Sequence, residues 1–136
     1  MASKYLDSTV FLYAMLTQGP KSARAADVLR SLAEGDFDAV TSSLTLDEVL
    51  HKLSRVAGRP QAAQQVENLL SLPSLKVQAV SRKTMSAALG WFEKKKELGA
   101  RDAVHVAAAF EAGATTILSD DADFDGIEGL PREGLG

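Results

Sequence analysis

Apolar residues along the chain fall into short runs and into longer stretches with helical spacing. The short runs, which are typical of buried strands, are SKYL at 3–6, DAV at 38–40, LKVQAV at 75–80 and TTIL at 115–118. The longer stretches, which are rich in alanine and leucine and predict helices, cover 21–34, 45–57, 60–71, 81–97 and 102–112. Glycine and proline separate these units. Strands that alternate with helices predict an α/β fold with a mostly parallel central sheet covered on both faces.

Acidic residues follow two of the predicted strands directly. Asp7 comes after SKYL, and the turn LSDDADFD at 118–125 continues from TTIL. Because ligands of parallel sheets bind beyond the carboxyl ends of the strands, both segments are expected at the same functional edge.

Each acid also has an ordinary structural role when it is taken alone. Asp7 suits a helix N-cap, Glu48 suits a capping box begun by Thr45, and Asp102 suits the first turn of a helix. These roles do not explain why so many acids stand at strand ends or in the helical turns that follow strands. Their common placement predicts that they meet at one site.

A metal ion would explain such a meeting. The acids expected to converge are Asp7, Glu48, Asp102 and Asp121. Two carboxylates about 4 Å apart repel by roughly 4 kcal/mol at an effective dielectric of about 20, so a cation or bound protons would be needed. Carboxylates without thiolates or three histidines suit Mg²⁺ or Mn²⁺. Because such ions activate water for attack on phosphodiesters, the pattern points to phosphodiester hydrolysis.

Composition narrows the class of protein. With 136 residues, of which 46% are hydrophobic, the chain is expected to form a single domain over 1–136. The absence of cysteine excludes disulfides, thiolate zinc sites and a cysteine nucleophile, and it suits a reducing cytoplasm. Segment 1–19 predicts neither a signal peptide nor a membrane span, so a soluble cytoplasmic protein without membrane contact is expected. The net charge of -3 means that nucleic acid would require a local basic patch.

Calcium fits part of the pattern less well. Asp121, Asp123 and Asp125 with Gly126 match the start of an EF-hand loop. The twelfth position, where that loop needs glutamate, is Arg132. A calcium loop is therefore disfavoured.

A di-iron helix bundle is the other metal alternative. Glu48 with His51, and Asp102 with His105, place carboxylate and imidazole three residues apart. That fold needs four long helices, which the glycine and proline breaks and the strand-like runs oppose. Both histidines are therefore interpreted as packing or surface residues.

Three segments carry motifs of a known family. They are YLDSTVFLYA at 5–14, TSSLTLDEVLHKL at 41–53 and LGARDAVHVAAAFEAGATTILSDDADFD at 98–125. In this order they resemble the PIN-domain ribonucleases, especially the VapC-type toxins of toxin-antitoxin pairs. The resemblance implies a three-layer α/β/α sandwich, RNA cleavage dependent on Mg²⁺ or Mn²⁺, an antitoxin partner and a homodimer.

The same resemblance assigns the site residues. It implies that Asp7, Glu48, Asp102 and Asp121 are catalytic and bind metal, that Asp123 is an accessory metal ligand, and that Ser8 and Ser119 are polar supports. Asp120 occupies a variable position of the motif and is left out.

Basic residues near the acids offer contacts to RNA. Lys52, Arg55 and Arg59 follow Glu48 at intervals of four, three and four, which predicts one helix face. They form either a track for a phosphate backbone or an ordinary solvated face. Arg101 either binds a phosphate or offsets the neighbouring acids.

Two functions therefore remain in view. The first is a metal-dependent endoribonuclease, the toxin of a toxin-antitoxin pair. The alternative is a PIN-fold module that binds RNA or protein without cutting. The complete acidic set favours the nuclease.

Overall fold

The computed structural model describes residues 3–136, which form a parallel sheet surrounded by helices. The strands are β1 (Lys4–Leu6), β2 (Ala39–Ser42), β3 (Leu75–Gln78), β4 (Thr116–Leu118) and β5 (Arg132–Glu133). The helices are α1 (Ser8–Leu16), α2 (Pro20–Ala33), α3 (Ser43–Ala57), α4 (Arg59–Leu70), α5 (Arg82–Lys94) and α6 (Ala100–Glu111), and a 3-10 turn covers Ala122–Phe124. Within these described residues, none of the helices is both long enough and apolar enough to cross a membrane.

The strand order creates a crevice beside β1. The five strands are all parallel and lie in the order β3-β2-β1-β4-β5. The chain moves from β1 to one side through β2 and β3, then returns to the other side with β4. Leu6 pairs with Leu118, so Asp7 and Ser119 stand side by side at the carboxyl edge. The prediction that these segments share one edge is confirmed, and the edge lies where the strand order reverses, the usual ligand site of such sheets.

Residues alternate along the central strands between two hydrophobic cores. Leu6 and Leu118 enter a core formed mainly with α1, α2 and α3. Tyr5 and Ile117, one position earlier in each strand, enter a second core formed with α6 and with Phe124. Because neighbouring residues of a strand point to opposite faces, both faces of the sheet are covered. The predicted three-layer α/β/α sandwich is confirmed.

Two elements escaped the hydrophobic pattern for opposite reasons. Helix α1, STVFLYAML, is apolar along most of its length and therefore lacks a helical period. Strand β5 consists of Arg132 and Glu133 alone, so it has no apolar residue that would mark it as a strand. The other predicted strands and helices are present, with small shifts at their ends.

Helix α6 is largely buried and positions two residues near the site. It is buried without interruption from Ala103 to Ala109, and its alanines allow α5 to pack closely against it. Asp102 lies in the first turn of α6, and His105 lies one turn further in. The helix therefore places Asp102 at the edge of the sheet and His105 deeper in the core.

Candidate active site

Three carboxylates meet at the carboxyl edge of the sheet. Asp102, Asp121 and Asp123 each offer an oxygen atom, and these atoms lie within 4.8 Å of one another. Hydrogen bonds shape the turn that carries two of them. The Ser119 hydroxyl oxygen accepts from the Asp121 amide at 3.0 Å, and Asp121 Oδ1 accepts from the Asp123 amide at 2.9 Å.

The other two acids of the turn have cationic partners. Asp120 lies 3.0 Å from Lys21 Nζ, and Asp125 lies 2.7 Å from Arg132 Nε. In residues 3–136, no lysine or arginine forms an ion pair with an acid of the three-carboxylate cluster. The EF-hand alternative also fails here, because Arg132 neutralises one of the acids that the loop would need. The turn thus combines two compensated acids with two that are not.

Asp102 is under electrostatic strain. Burial and the charge of Asp121, with smaller effects of Asp123 and Asp7, raise its pKa to about 6 from an ordinary value of 3.8. The charge of His105 opposes this rise. A divalent cation would stabilise the ionised form of Asp102.

Asp7 joins the end of β1 to the end of β4. Its Oδ1 accepts from the backbone amide of Thr9 at 3.1 Å and from the Thr9 hydroxyl at 2.6 Å. Its Oδ2 accepts from the Ser119 hydroxyl at 2.8 Å. Burial raises the pKa of Asp7, whereas the bonds from Thr9 and Ser119 lower it in part. Asp7 is therefore the N-cap of α1 and is also hydrogen-bonded to the residue that begins the acidic turn.

Thr9 is a site residue that the sequence did not indicate. Besides binding Asp7, its hydroxyl oxygen accepts from the Asp120 amide at 3.0 Å, so it ties α1 to the acidic turn. The available signal was its position two residues after a capping aspartate. Ser119 makes the contact expected of a polar support. Ser8 lies close enough to Glu48 to lower the pKa of that carboxyl.

Glu48 reaches toward α6 instead of capping its own helix. Ser42 is the N-cap of α3, because its hydroxyl oxygen accepts from the Thr45 amide at 3.4 Å. The capping box of Thr45 and Glu48 is wrong, since the helix begins two residues before Thr45. Glu48 Oε1 lies 2.7 Å from His105 Nε2. Burial alone would raise the pKa of Glu48, but the bond and charge of His105 bring it below its usual value.

His105 is buried, as a packing residue would be, but it also belongs to a polar network. Its Nδ1 lies 2.7 Å from the Tyr5 hydroxyl, and that hydroxyl donates to Ser42 Oγ at 2.7 Å. The interpretation of His105 as packing therefore missed its bond to Glu48. The di-iron pairing is also contradicted, because the histidine bound to Glu48 comes from another helix, whereas His51 is exposed.

The structure thus unites the predicted acids in part. The carboxylates within 4.8 Å are those of Asp102, Asp121 and Asp123. Asp7 and Glu48 lie outside this group. Asp7 is linked to Asp121 through the Ser119 hydroxyl, and Glu48 contacts His105 on α6, the helix that also carries Asp102. A donor set of carboxylate oxygens with one raised pKa fits a hard divalent ion such as Mg²⁺ or Mn²⁺.

Comparison with known proteins places the chain in a family. The family profile described as PIN domain matches residues 4–130. The chain belongs to the PIN domain family. Among its relatives is Ribonuclease VapC7 of Mycobacterium tuberculosis (strain ATCC 25618 / H37Rv), which is 30% identical over 119 residues, covering 88% of this chain and 82% of VapC7.

Solved structures of VapC20 and VapBC2 share the fold. VapBC2 from Rickettsia felis, bound to a DNA fragment from its promoter, has a TM-score of 0.72 at 19% identity and covers 96% of this chain and 97% of its own. VapC20 of Mycobacterium tuberculosis, a sarcin-ricin loop cleaving toxin, has a TM-score of 0.70 at 21% identity and covers 91% of both chains. At these identities the likeness establishes the architecture.

Basic residues flank the site of this PIN domain unevenly. Lys52 and Arg55 follow Glu48 on α3 and are exposed. Arg59 does not continue their row, because α3 ends at Ala57 and Arg59 is the first residue of α4. The row predicted on one helix face is therefore limited to two residues, whether it contacts RNA or only solvent, and Arg101 is exposed beside Asp102.

Proposed function

We propose that this protein is a divalent-metal-dependent endoribonuclease and the toxin of a toxin-antitoxin pair. The observation that carries the proposal is the cluster of Asp102, Asp121 and Asp123 at the carboxyl edge of a PIN domain sheet. The relative VapC7 bears the name ribonuclease, which supports the same chemistry here.

The acids have distinct tasks in this proposal. Asp102, Asp121 and Asp123 hold Mg²⁺ or Mn²⁺, and Asp7 and Glu48 complete the ligand set. When bound, the ion supplies Lewis acidity, which acidifies water and offsets charge on the scissile phosphate. The catalytic residues are Asp7, Glu48, Asp102 and Asp121, and Asp123 has an accessory role.

Asp7 is prepared for this task before any ligand arrives. Three hydrogen bonds from Thr9 and Ser119 orient its carboxylate. An ionised carboxylate has about four lone-pair sites, so capacity remains for one further ligand. The loss of rotational freedom has therefore already occurred in the folded protein, which favours tight binding.

Phosphates beside the scissile bond need cationic contacts. Lys52 and Arg55 on α3 and Arg101 on α6 are exposed on the two helices that carry Glu48 and Asp102. We assign them to the RNA backbone. Since the net charge is -3, these local cations supply the attraction that the whole molecule lacks.

An antitoxin is the proposed protein partner. Support comes from neighbours such as the toxin-antitoxin complex of Klebsiella pneumoniae, whose TM-score is 0.71 at 16% identity. We expect the product of an adjacent small open reading frame to co-purify with this protein and to inhibit its RNA cleavage.

Calorimetric titration of the metal-free protein with Mn²⁺ tests the proposed site. We expect the wild type to bind and Asp121→Asn to bind much more weakly, because that variant removes a carboxylate from the cluster. Asp125→Asn is the matched control, since it removes a charge from the same turn that already pairs with Arg132. RNA cleavage in the presence of Mg²⁺ should follow the same order.

Two results would argue against this function. Equal Mn²⁺ binding by wild type and Asp121→Asn, or none by either, would return the acids to roles as caps and turn residues. A wild type that binds RNA tightly and never cuts it would instead support the non-catalytic binding module.

A further inference from the structure

A buried network of hydrogen bonds begins at Glu48 and extends into the core. His105 Nε2 contacts Glu48 Oε1 at 2.7 Å, and His105 Nδ1 contacts the Tyr5 hydroxyl at 2.7 Å. The same hydroxyl donates to Ser42 Oγ at 2.7 Å and lies 3.3 Å from Thr45 Oγ1. This network therefore links β1, the start of α3 and the middle of α6.

The geometry defines what His105 can do. Only 2% of its side chain is exposed, and both of its ring nitrogens have hydrogen-bond partners within the protein. An ionised carboxylate only accepts hydrogen bonds, so Nε2 is the donor to Glu48. His105 cannot ligate a metal ion through Nε2 without giving up that bond.

Rigid neighbours hold the imidazole in this orientation. Tyr5 is fully buried in the central strand and packs edge-on to the ring, with centroids 5.8 Å apart. Phe124 packs edge-on from the acidic turn at 6.2 Å. The ring is thus fixed between the strand and the turn that carries Asp121 and Asp123.

The network restricts a side chain that would otherwise be mobile. Glutamate has three rotatable side-chain bonds, and Glu48 is only half-buried on α3. One hydrogen bond to a fixed imidazole selects among its rotamers and holds it at the edge of the site. His105 also lowers the pKa values of Asp7 and Asp102.

We infer that His105 is a positioning residue, anchored by Tyr5, that orients the Glu48 carboxylate for the divalent ion without ligating that ion itself. This inference rests on the proposed function, because it gives Glu48 a metal to face. Residues that hydrogen-bond to metal ligands typically change metal affinity about 10- to 100-fold when they are replaced.

Calorimetric Mn²⁺ titration of variants separates positioning from packing. His105→Leu, which fills much of the space without a donor, should bind Mn²⁺ about 10- to 100-fold more weakly than wild type. His105→Gln should recover part of this loss, because its amide nitrogen can still donate to Glu48. His51→Leu on α3 is the matched control, since His51 is exposed, and it should bind like wild type.

A double-mutant cycle with Glu48→Gln locates the effect. If His105 acts through Glu48, His105→Leu should cause no further loss of Mn²⁺ affinity in the Glu48→Gln background. Tyr5→Phe removes only the hydroxyl, and it should cause a smaller loss that also vanishes in that background. Should His105→Leu fail to unfold cooperatively, Tyr5→Phe and His105→Gln perform the same test.

The outcomes separate this inference from the proposed function. Wild-type Mn²⁺ affinity in His105→Leu would overturn the positioning role and leave the metal site intact. Where that variant fails to fold, wild-type affinity in both Tyr5→Phe and His105→Gln would have the same meaning. Equal losses of affinity with and without the Glu48 carboxylate would also overturn the positioning role. A wild type that does not bind Mn²⁺ would overturn both.

Discussion

At the scale of single residues, the site depends on how each carboxylate is supported. Asp7 receives three hydrogen bonds, Glu48 receives one from His105, and Asp102 lies against other acids. Removing charge should therefore have different consequences at each position.

Asp7→Asn should abolish Mn²⁺ binding and RNA cleavage together while the fold is kept. The amide retains the size of the carboxylate and one oxygen that accepts a hydrogen bond, but it loses the charge that a metal needs. Circular dichroism together with calorimetry and a cleavage assay checks this. Unchanged turnover in the variant would contradict the assignment of Asp7.

Asp102→Asn should stabilise the metal-free protein at neutral pH. Since the pKa of Asp102 is raised to about 6, the folded state holds an extra proton between pH ~4 and ~6, and stability falls as pH rises through that window. Above pH ~6 the ionised Asp102 lowers the free energy of unfolding by about 1 kcal/mol, a value discounted for the partial exposure of its side chain. This corresponds to roughly 4 °C in Tm.

Thermal unfolding in EDTA at two pH values measures this effect. The variant should unfold at a higher temperature than wild type at pH 7.5, and the difference should disappear near pH 4. Saturating Mn²⁺ should reverse the order at pH 7.5, because only the wild type gains binding energy. A variant that is less stable than wild type in EDTA at pH 7.5 would contradict the strain assigned to Asp102.

At the scale of elements, the sequence predicted the strands and helices that have a periodic apolar pattern and missed the contacts between residues far apart in the chain. The alternation of apolar runs and helical stretches was sufficient for the sandwich and for placing Asp7 beside the acidic turn. Contacts between distant elements have no local signal: Glu48 meets His105, 57 residues away, and no spacing rule relates them. The local rule even misled, because Thr45 and Glu48 satisfy a capping box that the helix does not use.

Helix α6 leaves little room for added volume. Ala107 is buried in the contact between α5 and α6, with Ala88 and Val104 in the same small core. Ala107→Leu should destabilise the protein by about 1–3 kcal/mol through overpacking, as judged by chemical denaturation. Ala100→Leu, at the exposed start of the same helix, is the control and should cost little; similar losses in both would argue against close packing here.

At the scale of the whole molecule, an apolar stripe remains exposed. Met85, Leu89 and Phe92 share one face of α5 and are 45%, 59% and 51% exposed, whereas the half-buried Trp91 is partly covered by stacking on Phe110. The homodimer stays a prediction, and we propose this stripe as its interface. Phe92→Ser should shift the protein toward monomer in light scattering without loss of fold, and Val56→Ser on the exposed face of α3 is the control. A wild type that is monomeric at all concentrations would contradict the prediction.

The central position of β1 has a consequence for biosynthesis. This strand leaves the ribosome more than a hundred residues before its neighbour β4, and Ser119 stands 112 residues from Asp7. The sheet cannot close around β1, and the acids cannot meet, until the segment 116–123 has emerged. Until then a nascent chain carries only scattered carboxylates, and the cell that translates it meets no assembled site before this segment has been made.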